Sequence, residues 1–157
     1  MRTAGETASA VKADLGQIVQ SLVLVAPRPK GRLAPIVCIV SGRNQVDLGL
    51  LAAIAGEVAV RRATTREALD LTGYPVGGIP PFGHRREVRT LMDQDVCQYQ
   101  WVWAAAGTDA AYFRVAPRTL QMLSNAIVAQ VAAAPWTLSP AAPQTEPQLQ
   151  FKAGAVA

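Results

Sequence analysis

The chain has 157 residues, half of them hydrophobic and 17% charged, with a formal net charge of +4 and a pI near 9.5. That length suits one domain with a sizeable core, and the apolar share excludes a wholly disordered chain. The longest apolar run, Leu48 to Gly56, is closed by Glu57 well short of the roughly 18 residues of a membrane span.

Ala4, Ala8, Val11 and Leu15 recur at helical spacing, and Gly16 is the expected stop. Ile18 to Ala26 reads as a buried strand, and Pro27, Pro29 and Gly31 as a turn. Pro35 to Ser41 is a second strand that can pair with the first as a hairpin. Asp47 is placed to cap a helix over Leu48 to Ala55, ended by Gly56. Val58 to Arg61 is a short strand. Thr64 with Glu67 fits a capping box for a helix to about Leu71. Strands are expected over Val88 to Met92, Trp101 to Ala105 and Ala110 to Val115, the last two joined by a turn at Gly107, Thr108 and Asp109. Tyr99, Trp101 and Trp103 are expected to alternate into the core from that strand. Pro117 opens a last helix, with Leu120, Leu123, Ile127 and Val131 as its buried stripe. This irregular alternation favours a mixed sheet with packed helices over a doubly wound parallel one. Residues 1–134 form the expected domain. Residues 135–157, with Pro135, Pro140, Pro143 and Pro147, read as a flexible tail.

Two cysteines, Cys38 and Cys97, and one histidine, His84, are too few for a structural zinc site. Both thiols are expected to be buried and inert. The cations gather in three groups: Arg28, Lys30 and Arg32; Arg61, Arg62 and Arg66; and His84, Arg85, Arg86 and Arg89. Each can be a solvated surface or a set of phosphate contacts. Cytoplasm is the expected compartment, since no charged-then-apolar signal pattern opens the chain.

Thr72 to His84 is the most informative segment. Gly73, Gly77, Gly78 and Gly83 alternate with Pro75, Pro80 and Pro81, which describes a rigid, tightly turned loop. Such a loop can present backbone N–H groups to a carbonyl or phosphate oxygen. It carries neither the Walker spacing nor the dinucleotide fingerprint.

The pattern Gly73-x-x-x-Gly77-Gly78-x-Pro80-Pro81-x-Gly83 resembles the signature loop of the YbaK/EbsC family of aminoacyl-tRNA deacylases, which are similar to the editing domain of bacterial prolyl-tRNA synthetases. Gly16 to Val23, Val40 to Leu48, Asp93 and Ala106-Gly107 line up in the same order. The resemblance implies an α/β fold of α+β character, with a mixed, mostly antiparallel, curved sheet and packed helices. It implies hydrolysis of the ester between an amino acid and the 3′-terminal adenosine of tRNA, with no metal or organic cofactor. An aminoacyl ester is already activated, so positioning a water and stabilising the oxyanion is the main task. Gly77 and Gly78 are the expected backbone donors, and the terminal ribose hydroxyl is thought to assist in this family.

Tyr74, Ile79, Pro80, Pro81, Phe82 and Gly83 are the expected substrate-binding residues of the loop, and Gly107 that of the last hairpin. Tyr74 and Phe82 are the candidates to touch the amino acid or adenine. His84 is either a general base, a phosphate contact or a loop histidine bonded to the backbone. Asp93 either orients the loop or substrate amine or caps a turn, and Ser41 is a candidate to line the pocket from the second strand. Arg85, Arg86 and Arg89 are the expected contacts to tRNA phosphates. The partner is the tRNA acceptor end, with a second copy of the chain and an aminoacyl-tRNA synthetase as further candidates.

Family members commonly carry lysine in the middle of the early strand, where this chain has Gln20. Glutamine donates and accepts hydrogen bonds but brings no charge. Three readings stay open: a subfamily with another substrate, another basic residue supplying the charge, or a binding module that has lost catalysis. Members also usually have a helix and a strand before the block near Arg2-Thr3, so an uncovered edge, which a dimer could cover, is expected.

Overall fold

The computed structural model describes residues 2–133, so the tail expected over 135–157 lies outside the described residues. Thr3 opens α1 (Ala4–Val11) with a reciprocal capping box: its hydroxyl accepts the Glu6 N–H, and the Glu6 carboxylate accepts the Thr3 N–H at 2.7 Å. The helix stops at Lys12, not at Gly16. Lys12 takes the left-handed conformation (φ 57°) and turns its N–H back onto the Ala8 and Ser9 carbonyls. Leu15–Gln17 is a separate 3-10 turn, and its Gly16 is buried where a Cβ would overlap the Tyr99 hydroxyl.

β1 (Val19–Pro27) and β2 (Leu33–Ser41) form the long antiparallel hairpin, from Val19 opposite Ser41 to Pro27 opposite Leu33. α2 (Leu48–Ala55) starts with Asp47 accepting the Leu50 N–H and ends at Gly56 in the left-handed conformation. β3 is only Arg61–Arg62, because Val58 lies fully in solvent and the chain meets β1 later than expected. α3 (Thr65–Thr72) carries the expected Thr64–Glu67 capping box. β4 (Arg89–Asp93) runs parallel to β2. β5 (Val102–Ala105) and β6 (Tyr112–Val115) make a separate hairpin. α4 (Pro117–Ser124) precedes β7 (Ile127–Ala129), which runs parallel to β4. The main sheet has the order β3-β1-β2-β4-β7. It is the expected mixed sheet.

The apolar runs over residues 23–26 of β1 and 36–40 of β2 follow from burial on both faces. Val23, Val25 and Val37 pack with Ala68, Leu71 and Ile79 on one face. Leu24, Ile36 and Cys38 pack with Leu51, Leu91 and Val131 on the other. A third cluster joins Val19 and Ile39 to Val96, Val102, Ala104, Val115 and Leu120. Among the described residues no helix is long and apolar enough to cross a membrane.

Three expectations about the core are corrected. Asn125 adopts the left-handed conformation (φ 54°) and ends α4, so Ile127 is a strand residue, and Leu123 and Ile127 are exposed while Leu120 and Val131 are buried. The inward residues of β5 are Val102 and Ala104. Trp101 is exposed beneath the Arg114 guanidinium at 4.6 Å, Trp103 is half-buried, and the buried Tyr99 precedes the strand. Cys38 is buried, and burial pushes its thiol up to about 12. Cys97 is exposed instead, because its 3-10 turn (Gln94–Gln98) turns Val96 inward.

Candidate functional site

The loop from Gly73 to His84 is held from within. Gly73 (φ 86°) ends α3, and the Thr72 hydroxyl donates to the Ala68 carbonyl at 2.7 Å and accepts the Tyr74 N–H at 3.1 Å. The Gly78 N–H donates to the Pro75 carbonyl at 2.9 Å. The Tyr74 hydroxyl donates to the Gly83 carbonyl at 3.3 Å. His84 Nε2 lies 2.6 Å from the Pro80 carbonyl. A carbonyl only accepts, so His84 carries its proton on Nε2 and bridges the loop.

The loop is also clamped from outside. The Gly107 N–H donates to the Gly78 carbonyl at 2.9 Å. A Cβ on Gly78 would sit 2.6 Å from Thr108 Cα and 2.8 Å from the Gly107 carbonyl oxygen, so only glycine allows this approach. Pro80 and Pro81 are buried, Ile79 joins the core beside Val23 and Val25, and Phe82 meets Phe113 edge-on at 5.8 Å.

Beside the loop, β1 loses its outer neighbour. Leu24 and Val25 pair with Arg62 and Arg61, the Ala63 N–H reaches the Val23 carbonyl at 3.0 Å, and Ile18 bridges Trp103 of β5. Between these contacts residues 19–22 have no strand partner on this side among the described residues. Backbone groups of alternate residues point to alternate edges, so those of Ser21 share the direction of Val23 and face this gap.

A cavity of about 360 Å³ occupies the gap. Gln20, Ser21 and Leu22 line it from β1, Arg62 from β3, Gly77 and Ile79 from the loop, Tyr112 from β6, and Arg2 and Thr3 from the start of the chain. Gly77 (φ 96°) needs the freedom of glycine, and its N–H meets no protein acceptor among the described residues. None of the lining residues is an acid, a histidine, a lysine or a cysteine. The cavity therefore offers hydrogen bonds and guanidinium charge, without a carboxylate, imidazole, amine or thiol. Among the described residues no three His, Cys, Asp or Glu side chains cluster as a metal ion would require.

Of the residues singled out from the sequence, Gln20, Gly77 and Ile79 come together here. Gly78 does not line the cavity, and its N–H is engaged in the loop's own turn, so its part is the close contact with the β5–β6 turn. Gly107 is the other side of that contact. Tyr74, Pro80, Pro81, Phe82, Gly83 and His84 shape the loop from positions outside the lining. Tyr74 and Phe82, expected to touch substrate, are half-buried with their rings packed against the core clusters.

Ser41 is buried, donating to the Gly16 carbonyl at 2.8 Å. Asp93 is buried at the far end of β4. One carboxylate oxygen accepts the Val131 and Ala132 N–H groups at 3.0 and 3.1 Å, and the other accepts from Asn44 and the Asp95 N–H. Four donors satisfy this carboxylate, which ties the end of β4 to the segment after β7.

Arg85 and Arg86 are exposed. Arg89 instead pairs with Glu57 at 2.7 Å and donates to the Ala55 carbonyl, while Arg28 grips the same carboxylate at 2.6 and 2.8 Å. The two guanidiniums hold the Glu57 carboxyl down to about 2. Sequence reasoning missed Arg62 and Tyr112 as lining residues. The one signal for Arg62 was its place in an arginine group, which does not distinguish it from Arg61.

Residues 1–123 match the family model described as the aminoacyl-tRNA editing domain. A candidate Cys-tRNA(Pro)/Cys-tRNA(Cys) deacylase, EbsC of Enterococcus faecalis, is 26% identical over 129 residues, covering 82% of this chain and 76% of the relative. A crystal structure of a candidate trans-editing enzyme for prolyl-tRNA synthetase is 43% identical, with a TM-score of 0.77 over 84% of this chain and 80% of that one. A scaffold protein used for computational epitope grafting is 40% identical, with a TM-score of 0.76 over 84% and 81%. With the loop, the cavity beside β1 and the sheet order in place, this chain belongs to the aminoacyl-tRNA editing domain family, of the YbaK/EbsC-like type.

Proposed function

We propose that the chain hydrolyses the ester of mischarged aminoacyl-tRNA, acting in trans with the 3′ end of tRNA as its partner. The observation that carries this reading is the cavity itself, which joins Gln20, the open backbone of Ser21 and the unpartnered Gly77 N–H beside a rigid loop. The ester carbonyl accepts from Gly77, so the oxyanion that forms on water attack meets a donor already in place. Gln20 orients the attacking water or the substrate amine. Water adds to the carbonyl, the bond to the ribose oxygen breaks, and the proton from water ends on that oxygen. The products are free amino acid and uncharged tRNA. No lining side chain is a carboxylate, a histidine or a lysine, so the substrate's own vicinal hydroxyl is the proton carrier in this scheme.

A second reading rests on the same lining. Without a lysine, histidine or carboxylate in its lining, the pocket suits a module that holds aminoacylated tRNA ends without cleaving them. Incubating the purified protein with tRNAs carrying alanine, serine, cysteine or threonine separates the two. Ester loss above the spontaneous rate supports the hydrolase. Its absence from every substrate, together with gain of cleavage in Gln20→Lys, supports the binding module.

A further inference from the structure

Arg61 and Arg62 are adjacent yet differently placed. Side chains alternate along a strand, so the two point to opposite faces. Arg61 forks onto Glu67 of α3 at 2.9 Å through both nitrogens. Arg62 lines the cavity, and no acidic side chain pairs with it among the described residues. None of the cavity's lining residues is Asp or Glu, so nothing in the wall neutralises this guanidinium.

Its backbone is fixed on both sides. Arg62 lies opposite Leu24 in the sheet, the next residue donates to the Val23 carbonyl, and Thr64 then caps α3. Gln20 stands four residues before Leu24 on the same face of β1. At about 3.3 Å per residue, Gln20 and the Arg62 position are about 13 Å apart along the strand. Both residues line the same cavity. The span left between them suits a nucleoside, with an acyl group at one end and a phosphate at the other.

We infer that Arg62 binds the 5′-phosphate of the terminal nucleotide and thereby sets the register of the aminoacyl ester against Gln20 and Gly77. This inference rests on the proposed deacylase reading of the cavity. A planar guanidinium grips a phosphate through two parallel hydrogen bonds, whereas the neutral Gln20 cannot supply that charge. Arg62 is thus a positioning residue, selecting a nucleotide over a nucleoside.

The test uses non-hydrolysable alanyl and cysteinyl 3′-amides of 3′-amino-3′-deoxyadenosine, each with and without a 5′-phosphate, titrated into the full chain. The wild type is expected to prefer the phosphorylated compounds roughly tenfold or more. Arg62→Gln should lose that preference, Arg62→Lys should keep part of it, and Arg61→Gln should keep all of it. Unchanged thermal melting of Arg62→Gln, expected for an exposed side chain, shows that the loss is local. Equal binding of both forms by the wild type, or a preference that survives Arg62→Gln, overturns the phosphate role and leaves the deacylase reading standing. Failure of all four compounds to bind overturns the phosphate role, and the deacylation assay then decides the reading on which it rests.

Discussion

The two ends of β1 differ both in sequence, Val19-Gln20-Ser21-Leu22 against Val23-Leu24-Val25-Ala26, and in what lies beside them. From Val23 onward the strand has β2 on one side and β3 on the other, and Val23, Leu24 and Val25 are buried. From Val19 to Leu22 it keeps β2 but has no paired strand on its outer side among the described residues, and Gln20 is exposed at the cavity. Pairing turns the first half into core. Its interruption leaves Gln20, Ser21 and Leu22 at the cavity, while the Val19 side chain stays buried in the cluster with Val102 and Ala104. The same contrast separates Arg61 from Arg62, and the Glu57 cluster from the cavity: a cation with a carboxylate partner is structural, and one without is available.

The largest expected effect breaks the buried half. Leu24→Ala removes a fully buried side chain and should cost about 2–5 kcal/mol in chemical denaturation. Gln20→Ala, four residues away in the open half, should shift stability by no more than ~0.5 kcal/mol while lowering deacylation. Similar losses of stability from both would erase the distinction.

Gly78→Ala probes the clamp between loop and hairpin. The added methyl meets backbone at 2.6–2.8 Å, which cannot yield as a flexible side chain would. A cost of about 1–3 kcal/mol is expected. Displacing Gly77 by even 1 Å should reduce kcat/KM on the order of 100-fold. A stable variant with unchanged kcat/KM would show that the loop's exact seat is unimportant.

The smallest effect concerns the paired arginines. The Glu57 carboxyl is held at about 2 in the folded chain, by Arg28 and then Arg89, against an ordinary 4.5. Glu67 is held at about 2 in the same sense by Arg61 and the Thr64 N–H. A depressed folded pKa gives stability that is fully present above pH 4.5 and lost as pH falls toward 2. Melting temperatures should therefore fall across that window. Glu57→Gln should flatten the fall. A fall as steep as the wild type's would mean that this cluster contributes nothing.

Much of the fold was legible in the residues. Asp47, Thr64 with Glu67, Gly56 and Pro117 mark helix ends because capping and proline chemistry act over three or four neighbouring residues. The helix ends misjudged are those closed by Lys12 and Asn125, residues other than glycine in the left-handed conformation. Their neighbours left no apolar pattern to reveal it. Leu123 and Ile127 looked like one helical stripe because period alone cannot tell a helix from a helix followed by an edge strand.

The site divides along the same line. The glycine–proline loop and Gln20 could be found from sequence, since local backbone demands and a family motif both write themselves into neighbouring residues. The sequence by itself determined the hairpin, the helix caps, the rigidity of the loop and the family. Only the tertiary structure decided that Gly78 is a contact and Gly77 an open donor, that Asp93 and His84 are staples, and that Arg89 belongs to Glu57 while Arg62 faces a cavity. Those outcomes depend on which groups meet across long separations in the chain. Pairing, burial and charge neutralisation exist only once the sheet has brought β1, β3, the loop and the β5–β6 hairpin together.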